Sequence, residues 1–352
     1  MNVMIWEDIL VKLKSERPDL FNTYVALEEY HWPFRDKHGR FLARYSKRIT
    51  YKCEVSEWLF EKGFLDIEWP NKASFAVVLT HDVDFLHAAK LSAFKATVKA
   101  LRQRFFTEAG RRIAAMFIKK LDPLKNIKSI IGTEAQFNVK STFFFLVNKR
   151  DFGGGNDPEE LADEIGFIID KGWEIGLHTG YFSYNDPLKI SSEKKILEKI
   201  SGIRVRGVRN HYLRFSTPRT WEVLSQFFDY DSTYGYDDHV GFRNGMCHPF
   251  KPSTLDGKII DILEIPLTVM DATFYNRDGD AYEAFKWIEI LVREVKKVKG
   301  VITVLWHNLA FDEFMFSDYA KLYRALLRHF KEQGAWITNC GDLYDYWVER
   351  FK

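Results

Sequence analysis

The most informative stretch of the sequence is Phe75-Ala-Val-Val-Leu-Thr80-His81-Asp82-Val83-Asp84. Its first five residues are apolar, which is typical of a buried strand, and the apolar run stops at a polar tip. Side chains two residues apart in a strand share a face, so Asp82 and Asp84 are expected to point into one site. Two carboxylates there suggest a metal ligand beside a general base, although a turn capping the next helix has the same pattern.

Short apolar segments alternate with amphipathic ones from residue 74 onward. This alternation predicts an α/β fold, a distorted (β/α) barrel of seven or eight parallel strands. We expect residues 1–70 to form an N-terminal lead-in packed on a barrel of residues 71–352, with a helical insert at 85–133 after the first strand. The predicted strands are 75–80, 142–147, 173–178, 205–209, 228–231, 259–266, 301–307 and 336–338.

The predicted insert is too long for an ordinary connection between a strand and a helix, and it is expected to form two helices, 87–107 and 110–120. Residues 88–128 contain eleven Lys or Arg against Glu108 and Asp122, a local charge of +9 in a chain of +2. This composition favours contact with an anionic membrane surface or a diphosphate-linked lipid; a helical hairpin with its basic face in water explains it equally well. No RNA- or DNA-binding motif is present, so no nucleic-acid partner is predicted.

The overall composition excludes several other classes of protein. No apolar run approaches the ~20 residues that span a bilayer, and the N-terminus lacks the basic and apolar regions of a signal peptide. Three widely spaced cysteines, Cys53, Cys247 and Cys340, predict neither a disulfide framework nor a cysteine zinc site. A cytoplasmic location is therefore expected.

Reactive side chains recur at the predicted C-terminal ends of the strands, where barrel enzymes carry their active sites. A single histidine in such a position is more often structural. When several strands each end in a reactive side chain, however, a merely solvent-exposed rim of the barrel is a poor explanation. The candidates are His81, Asp82, Asp84, His178, Arg209, His211, Tyr212, Asp231, Glu264 and His307.

Taken together, these motifs resemble those of the polysaccharide deacetylases of carbohydrate esterase family four. They occur in the family's order: Thr80–Asp84 for Thr-Phe-Asp-Asp, His178-Thr179 for half of His-Ser/Thr-x-x-His, Arg209–Tyr212 for Arg-x-Pro-Tyr, Asp231 for the Asp-led motif, and Leu305–His307 for Leu-x-His. Thr-His-Asp-Val-Asp together with Gly-Phe-Arg-Asn-Gly at 241–245 is similar to a bacterial subgroup associated with surface-polysaccharide synthesis.

The resemblance implies a hydrolase of non-peptide carbon–nitrogen bonds that removes N-acetyl (or O-acetyl) groups from a sugar or polysaccharide. It implies a divalent metal held by Asp84 and His178, with zinc expected first and cobalt or nickel as alternatives. Asp82 would be the general base.

The remaining catalytic roles are implied in the same way. Arg209 would orient Asp82 and keep it ionised, and the backbone amide of Tyr212 would stabilise an oxyanion. His307 would protonate the leaving amine, and Asp231 would hold His307 in its protonated form.

The chain departs from the family pattern at two positions. Phe182 stands where the second metal histidine is expected, and His211 replaces the proline of the third motif. We predict that His211 completes the metal site, with Ser183 and His81 as alternatives. If metal binding is instead weakened, the chain would be a catalytically inactive carbohydrate-binding or assembly protein. Hydrolysis of a non-sugar amide on the same scaffold is a further alternative.

Several other residues are candidates for contact with the substrate. They are Tyr212, Trp306, Glu264 with Asp271, and Arg243 with His248 in a loop that could form a lid. For Glu264 and Asp271, a salt-bridged barrel rim is an equally good interpretation.

Overall fold

The computed structural model describes residues 5–88, 90–118, 121–275 and 280–351. Its sheet is parallel throughout, with the strand order β6-β5-β4-β3-β2-β1-β8-β7. The strands are β1 Phe75–Val83, β2 Thr142–Leu146, β3 Glu174–Thr179, β4 Gly207–Asn210, β5 Tyr230–Asp231, β6 Leu263–Glu264, β7 Val269–Met270, β8 Val301–Leu305 and β9 Ala335–Thr338. The sheet curls into an open barrel, so the predicted distorted (β/α) barrel is confirmed.

Strand β1 is the centre of this sheet and is buried along its whole length. One of its edges pairs with β8, while the other pairs with β9 near the start of the strand and with β2 near its end. Because residues 80–83 pair with β2, the strand continues three residues beyond its predicted end. The predicted strand 259–266 is only two residues long, and β7 was not predicted.

Most of the helices bury apolar side chains in the two main hydrophobic clusters that flank the sheet. The described helices are α1 Trp6–Glu16, α2 Pro18–Tyr24, α3 Leu27–His31, α4 Glu54–Glu61, α5 Lys90–Arg102, α6 Phe106–Ala115, α7 Ile127–Gln136, α8 Pro158–Asp170, α9 Pro187–Ser201, α10 Arg219–Leu224, α11 Ala272–Tyr275, α12 Ala281–Lys297, α13 Ser317–Glu332 and α14 Cys340–Val348. None of these helices, within the described part of the chain, is both long and apolar enough to cross a membrane.

The insert after β1 contains α5 and α6, and α7 follows before β2. Gly110, the predicted start of the second insert helix, lies inside α6, and the predicted end at residue 120 is outside the described residues. The N-terminal helices share a hydrophobic core with the barrel: Trp6 and Leu13 belong to the same buried cluster as Phe144. The predicted domain boundary at residue 70 stays a prediction.

Candidate metal centre and active site

Three potential metal ligands meet at the C-terminal edge of the sheet. Asp84 directly follows β1, His178 lies in β3, and His211 directly follows β4. Asp84 Oδ1 is 3.2 Å from His178 Nε2 and 3.6 Å from His211 Nε2. One ligand atom from each residue can be chosen so that all three lie within 4.8 Å of one another. One carboxylate and two imidazoles match the three protein ligands of many catalytic zinc sites.

The surroundings of these three residues fit a cation. Asp84 Oδ1 is buried and has no hydrogen-bond partner among the described residues. His178 donates its Nδ1–H to the carbonyl oxygen of Arg209 at 3.0 Å, which turns Nε2 toward Asp84. His211 Nδ1 lies 3.8 Å from Oδ2 of Asp151, close enough for the two charges to interact but without a hydrogen bond. A hydrogen bond like that of His178 Nδ1 is typical of histidines that bind metals.

Asp84 is an anion in this site. Burial by itself raises the pKa of its carboxyl group, but the adjacent imidazoles of His211 and His178 outweigh burial and hold that pKa well below its usual range. An ionised carboxylate at neutral pH is the form that coordinates a divalent metal.

Asp82 lies beside this triad and is held by a buried arginine. Its Oδ1 accepts a hydrogen bond from Arg209 Nη1 at 3.0 Å, and its Oδ2 is 3.6 Å from His178 Nε2. Arg209 is fully buried and also donates to Thr80 Oγ1 and to the backbone and side-chain oxygens of Ser232. These contacts fix the guanidinium group, so one oxygen of Asp82 is occupied and the other is directed toward the triad.

His307 is paired with Asp271, and the predicted pairing with Asp231 is wrong. His307 donates its Nδ1–H to Asp271 Oδ1 at 2.6 Å and its backbone N–H to Asp271 Oδ2 at 2.8 Å. Burial by itself lowers the pKa of His307, but the Asp271 carboxylate raises it to about 10. His307 is therefore an imidazolium at neutral pH and can donate a proton.

Asp231 and Glu264 form a separate carboxyl pair with no exposed surface. Burial raises the pKa of Asp231 to about 6, and burial together with the Asp231 charge raises the pKa of Glu264 well above its usual range. Glu264 also accepts a hydrogen bond from Trp221 Nε1 at 2.7 Å. Because neither side chain reaches the surface, Glu264 is not placed to bind a substrate, and Asp231 has a structural position.

Other sequence candidates also lie in the interior. Arg243 donates two hydrogen bonds of 2.7 Å to Glu29, which makes it a buried link to the N-terminal helices rather than part of a lid. Trp306 and His248 have no exposed surface. Their buried positions rule out the predicted substrate contacts in this structure.

The alternative metal ligands have other partners. His81 bonds through Nε2 to Glu134 at 2.9 Å and through Nδ1 to the carbonyl oxygen of Trp306 at 2.7 Å. The Ser183 hydroxyl donates to Glu193. Of the three residues considered for the third ligand position, the structure brings only His211 to Asp84 and His178.

An aromatic cluster adjoins His211, and only part of it could be anticipated. It consists of His38, Phe152, Tyr181 and Tyr212, whose ring centroids are 4.6–5.9 Å apart. A Cβ atom at Gly153 would lie 2.3 Å from Tyr212 Oη, so a glycine leaves room for this ring. Tyr212 has a positive φ of 60° in the first turn of a 3₁₀ helix, where backbone amides lack intrahelical acceptors.

Three solved structures show what this fold resembles. No family model and no curated protein matches the chain by sequence. A protein from Mycobacterium smegmatis described as a polysaccharide deacetylase aligns with a TM-score of 0.56 at 18% identity, covering 81% of this chain and 94% of that one. A Pseudomonas aeruginosa protein with the same description gives 0.54 at 15% identity, covering 80% and 93%. The Puue allantoinase gives 0.55 at 15% identity, covering 90% and 98%.

These similarities establish the architecture. The chain has the fold of the polysaccharide deacetylases, as the resemblance of its motifs implied. An allantoinase has the same fold, so the fold by itself does not select a substrate.

Proposed function

We propose that the protein is a metal-dependent deacetylase, a hydrolase of carbon–nitrogen bonds that removes N-acetyl groups from a saccharide. The observation that carries this proposal is the position of Asp82, which is held by Arg209 and directed at Asp84, His178 and His211. A base beside three metal ligands is the arrangement required to activate water for attack on an acetyl carbonyl.

Asp84, His178 and His211 would hold the divalent cation, and the two-nitrogen, one-carboxylate set suits Zn²⁺ first, then Co²⁺ or Ni²⁺. When bound, such a cation lowers the pKa of water and polarises a carbonyl group. No described residue other than these three forms a comparable group of potential ligands.

The chain's own residues would carry the proton transfers. Asp82 accepts a proton from the attacking water, while Arg209 fixes the carboxylate and balances its charge. The protonated His307 gives its Nε2 proton to the leaving amine, and Asp271 holds the ring through Nδ1. The backbone amide of Tyr212 is a candidate donor to the developing oxyanion.

An acetylated sugar or polysaccharide is the proposed substrate. Sugars commonly stack on aromatic rings, and the aromatic cluster stands directly beside His211, with Phe152 47% exposed. The description of two similar structures as polysaccharide deacetylases supports the same substrate class. This substrate class and the motif at 241–245 together support a role in surface-polysaccharide metabolism.

Acetate release tests the proposal. The protein would be stripped with a chelator, reloaded with Zn²⁺, Co²⁺ or Ni²⁺, and incubated with N-acetylated oligosaccharides, O-acetylated oligosaccharides and a cyclic amide. We expect acetate from the N-acetylated sugar only after reloading. Hydrolysis of the cyclic amide alone would identify a non-sugar amidase, and no hydrolysis by protein that does bind the metal would identify an inactive relative.

A further inference from the structure

The helices of the insert direct apolar side chains away from the protein. In α6, Ala109 and Arg112 are buried, whereas Phe106 and Ile113 are 68% and 45% exposed. Phe117, just beyond the end of this helix, is 84% exposed. In a helix that served only to cover the barrel, the apolar residues would face inward.

Exposed apolar residues are concentrated in this part of the chain. Of the eighteen large hydrophobic side chains that are exposed in the described residues, eight lie between 94 and 121. We call these eight the outer apolar face: Phe94, Leu101, Phe105, Phe106, Ile113, Phe117, Ile118 and Leu121. Exposed apolar residues gathered in one short stretch of helices point to an interaction surface, whereas single exposed apolar residues do not.

Basic residues accompany this face. Lys95, Arg102, Arg104 and Arg111 are exposed, and the first two directly follow Phe94 and Leu101 in α5. Only Glu108 and Asp122 are acidic between residues 88 and 128, and Glu108 pairs with Arg112 at 2.8 Å. The surface therefore combines aromatic and aliphatic groups with a net positive charge, as interfacial membrane helices do.

The insert is fixed to the end of the barrel that carries the candidate active site. Arg112 Nη2 is 2.6 Å from Oδ1 of buried Asp312, in the segment that follows β8. Asn308 Nδ2 donates to the carbonyl oxygens of Phe85 and Leu124, which ties the residue after Asp84 to the base of the insert. The outer apolar face thus belongs to a helical pair anchored beside the ends of β1 and β8.

We propose that the outer apolar face docks the protein on the surface of an anionic lipid bilayer. Charge decides between possible occupants, because a second copy of this chain would bring an equally basic segment to the contact, whereas anionic headgroups neutralise it. The apolar side chains would enter the boundary between headgroups and acyl chains, and the basic residues would remain among the headgroups. The proposal does not depend on the proposed deacetylase activity.

Vesicle co-sedimentation of the full chain tests this docking. We expect at least tenfold stronger binding to vesicles containing 30% phosphatidylglycerol than to pure phosphatidylcholine at low salt, since each basic residue near the surface contributes about fivefold. The triple variant Phe106→Ser/Ile113→Ser/Phe117→Ser should lose at least tenfold in binding to the anionic vesicles. Its three side chains are exposed, so its thermal unfolding should match the wild type.

A matched control is Leu188→Ser, which removes an 82% exposed leucine from α9, outside the insert, and should leave vesicle binding unchanged. Equal binding to neutral and anionic vesicles, or wild-type binding by the triple variant, would overturn the proposal. So would a dimer in analytical ultracentrifugation without lipid that the triple substitution dissociates, because the face would then be a contact between two copies. Acetate release from a soluble sugar is measured in parallel and should be unaffected.

Discussion

Replacement of His211 by alanine should severely weaken metal binding. The three potential ligands are Asp84, His178 and His211, and the variant keeps only the 3.2 Å pair of Asp84 Oδ1 and His178 Nε2. Loss of an outer partner already costs about 10–100-fold in affinity, so loss of a direct ligand should cost at least about 100-fold. That factor corresponds to about 2.8 kcal/mol of binding free energy.

The affinity would be measured by competition with a chromophoric chelator for Zn²⁺. His31→Ala removes an exposed histidine from α3 and serves as the control for nonspecific histidine binding. Asp151→Asn removes the carboxylate charge 3.8 Å from His211 Nδ1 and should give a smaller loss, about tenfold. Because His211 is buried, circular dichroism and thermal unfolding must show that the variant is folded. Wild-type affinity in folded His211→Ala, beside a large loss in His178→Ala, would refute the assignment of the third ligand.

Three further predictions concern the base, the acid and the interior. Asp82→Asn should reduce acetate release by about 10²–10⁴-fold while metal affinity stays within a few-fold, and a rate within threefold of wild type would remove Asp82 from the mechanism. Asp271→Asn should move the alkaline limb of the pH–rate profile to lower pH, because the Asp271 carboxylate raises the pKa of His307 to about 10. An unmoved limb, or an unchanged titration of His307 by NMR, would contradict this prediction. Arg243→Ala should lower the free energy of unfolding by about 3–5 kcal/mol, because it leaves the buried Glu29 carboxylate without its cation. Normal stability together with a changed Michaelis constant would instead indicate that Arg243 binds the substrate.

The sequence was informative where chemistry and local pattern coincide. The apolar run that ends in Asp82 and Asp84 predicts both a buried strand and the side of the sheet on which the site lies. His178 and His211 follow from the same logic, because parallel neighbouring strands bring their C-terminal ends together. Phe182, which cannot bind a metal, leaves the motif one ligand short and so predicts a ligand such as His211, and the structure places His211 beside Asp84.

The pairing of His307 with Asp271 could not be predicted in this way. It depends on β7, a two-residue strand too short to give a periodic signal, whose Met270 pairs with Leu305 of β8. This register places Asp271 next to His307, 36 residues away in the chain. The sequence favoured Asp231 as the partner of His307 because Asp231 belongs to one of the family motifs.

Long-range contacts explain why the role of Arg243 was predicted wrongly and why Asp151 and Phe152 were missed. Arg243 lies in a glycine-rich loop that suggests a mobile lid, but Glu29, 214 residues earlier, fixes it in the interior. Asp151 and Phe152 follow β2 in a segment without a recognisable motif, so their approach to His211 and Tyr212 emerges only when β2, β3 and β4 are assembled.

Anomalous diffraction from a crystal soaked in Zn²⁺ would show directly whether Asp84, His178 and His211 bind a metal ion. We predict one strong peak within about 2.0–2.2 Å of Asp84 Oδ1, His178 Nε2 and His211 Nε2, with Asp82 close enough to contact a bound water or acetate. A peak elsewhere, or a soaked crystal with no peak between these three residues, would show that this site is not a metal-dependent deacetylase centre.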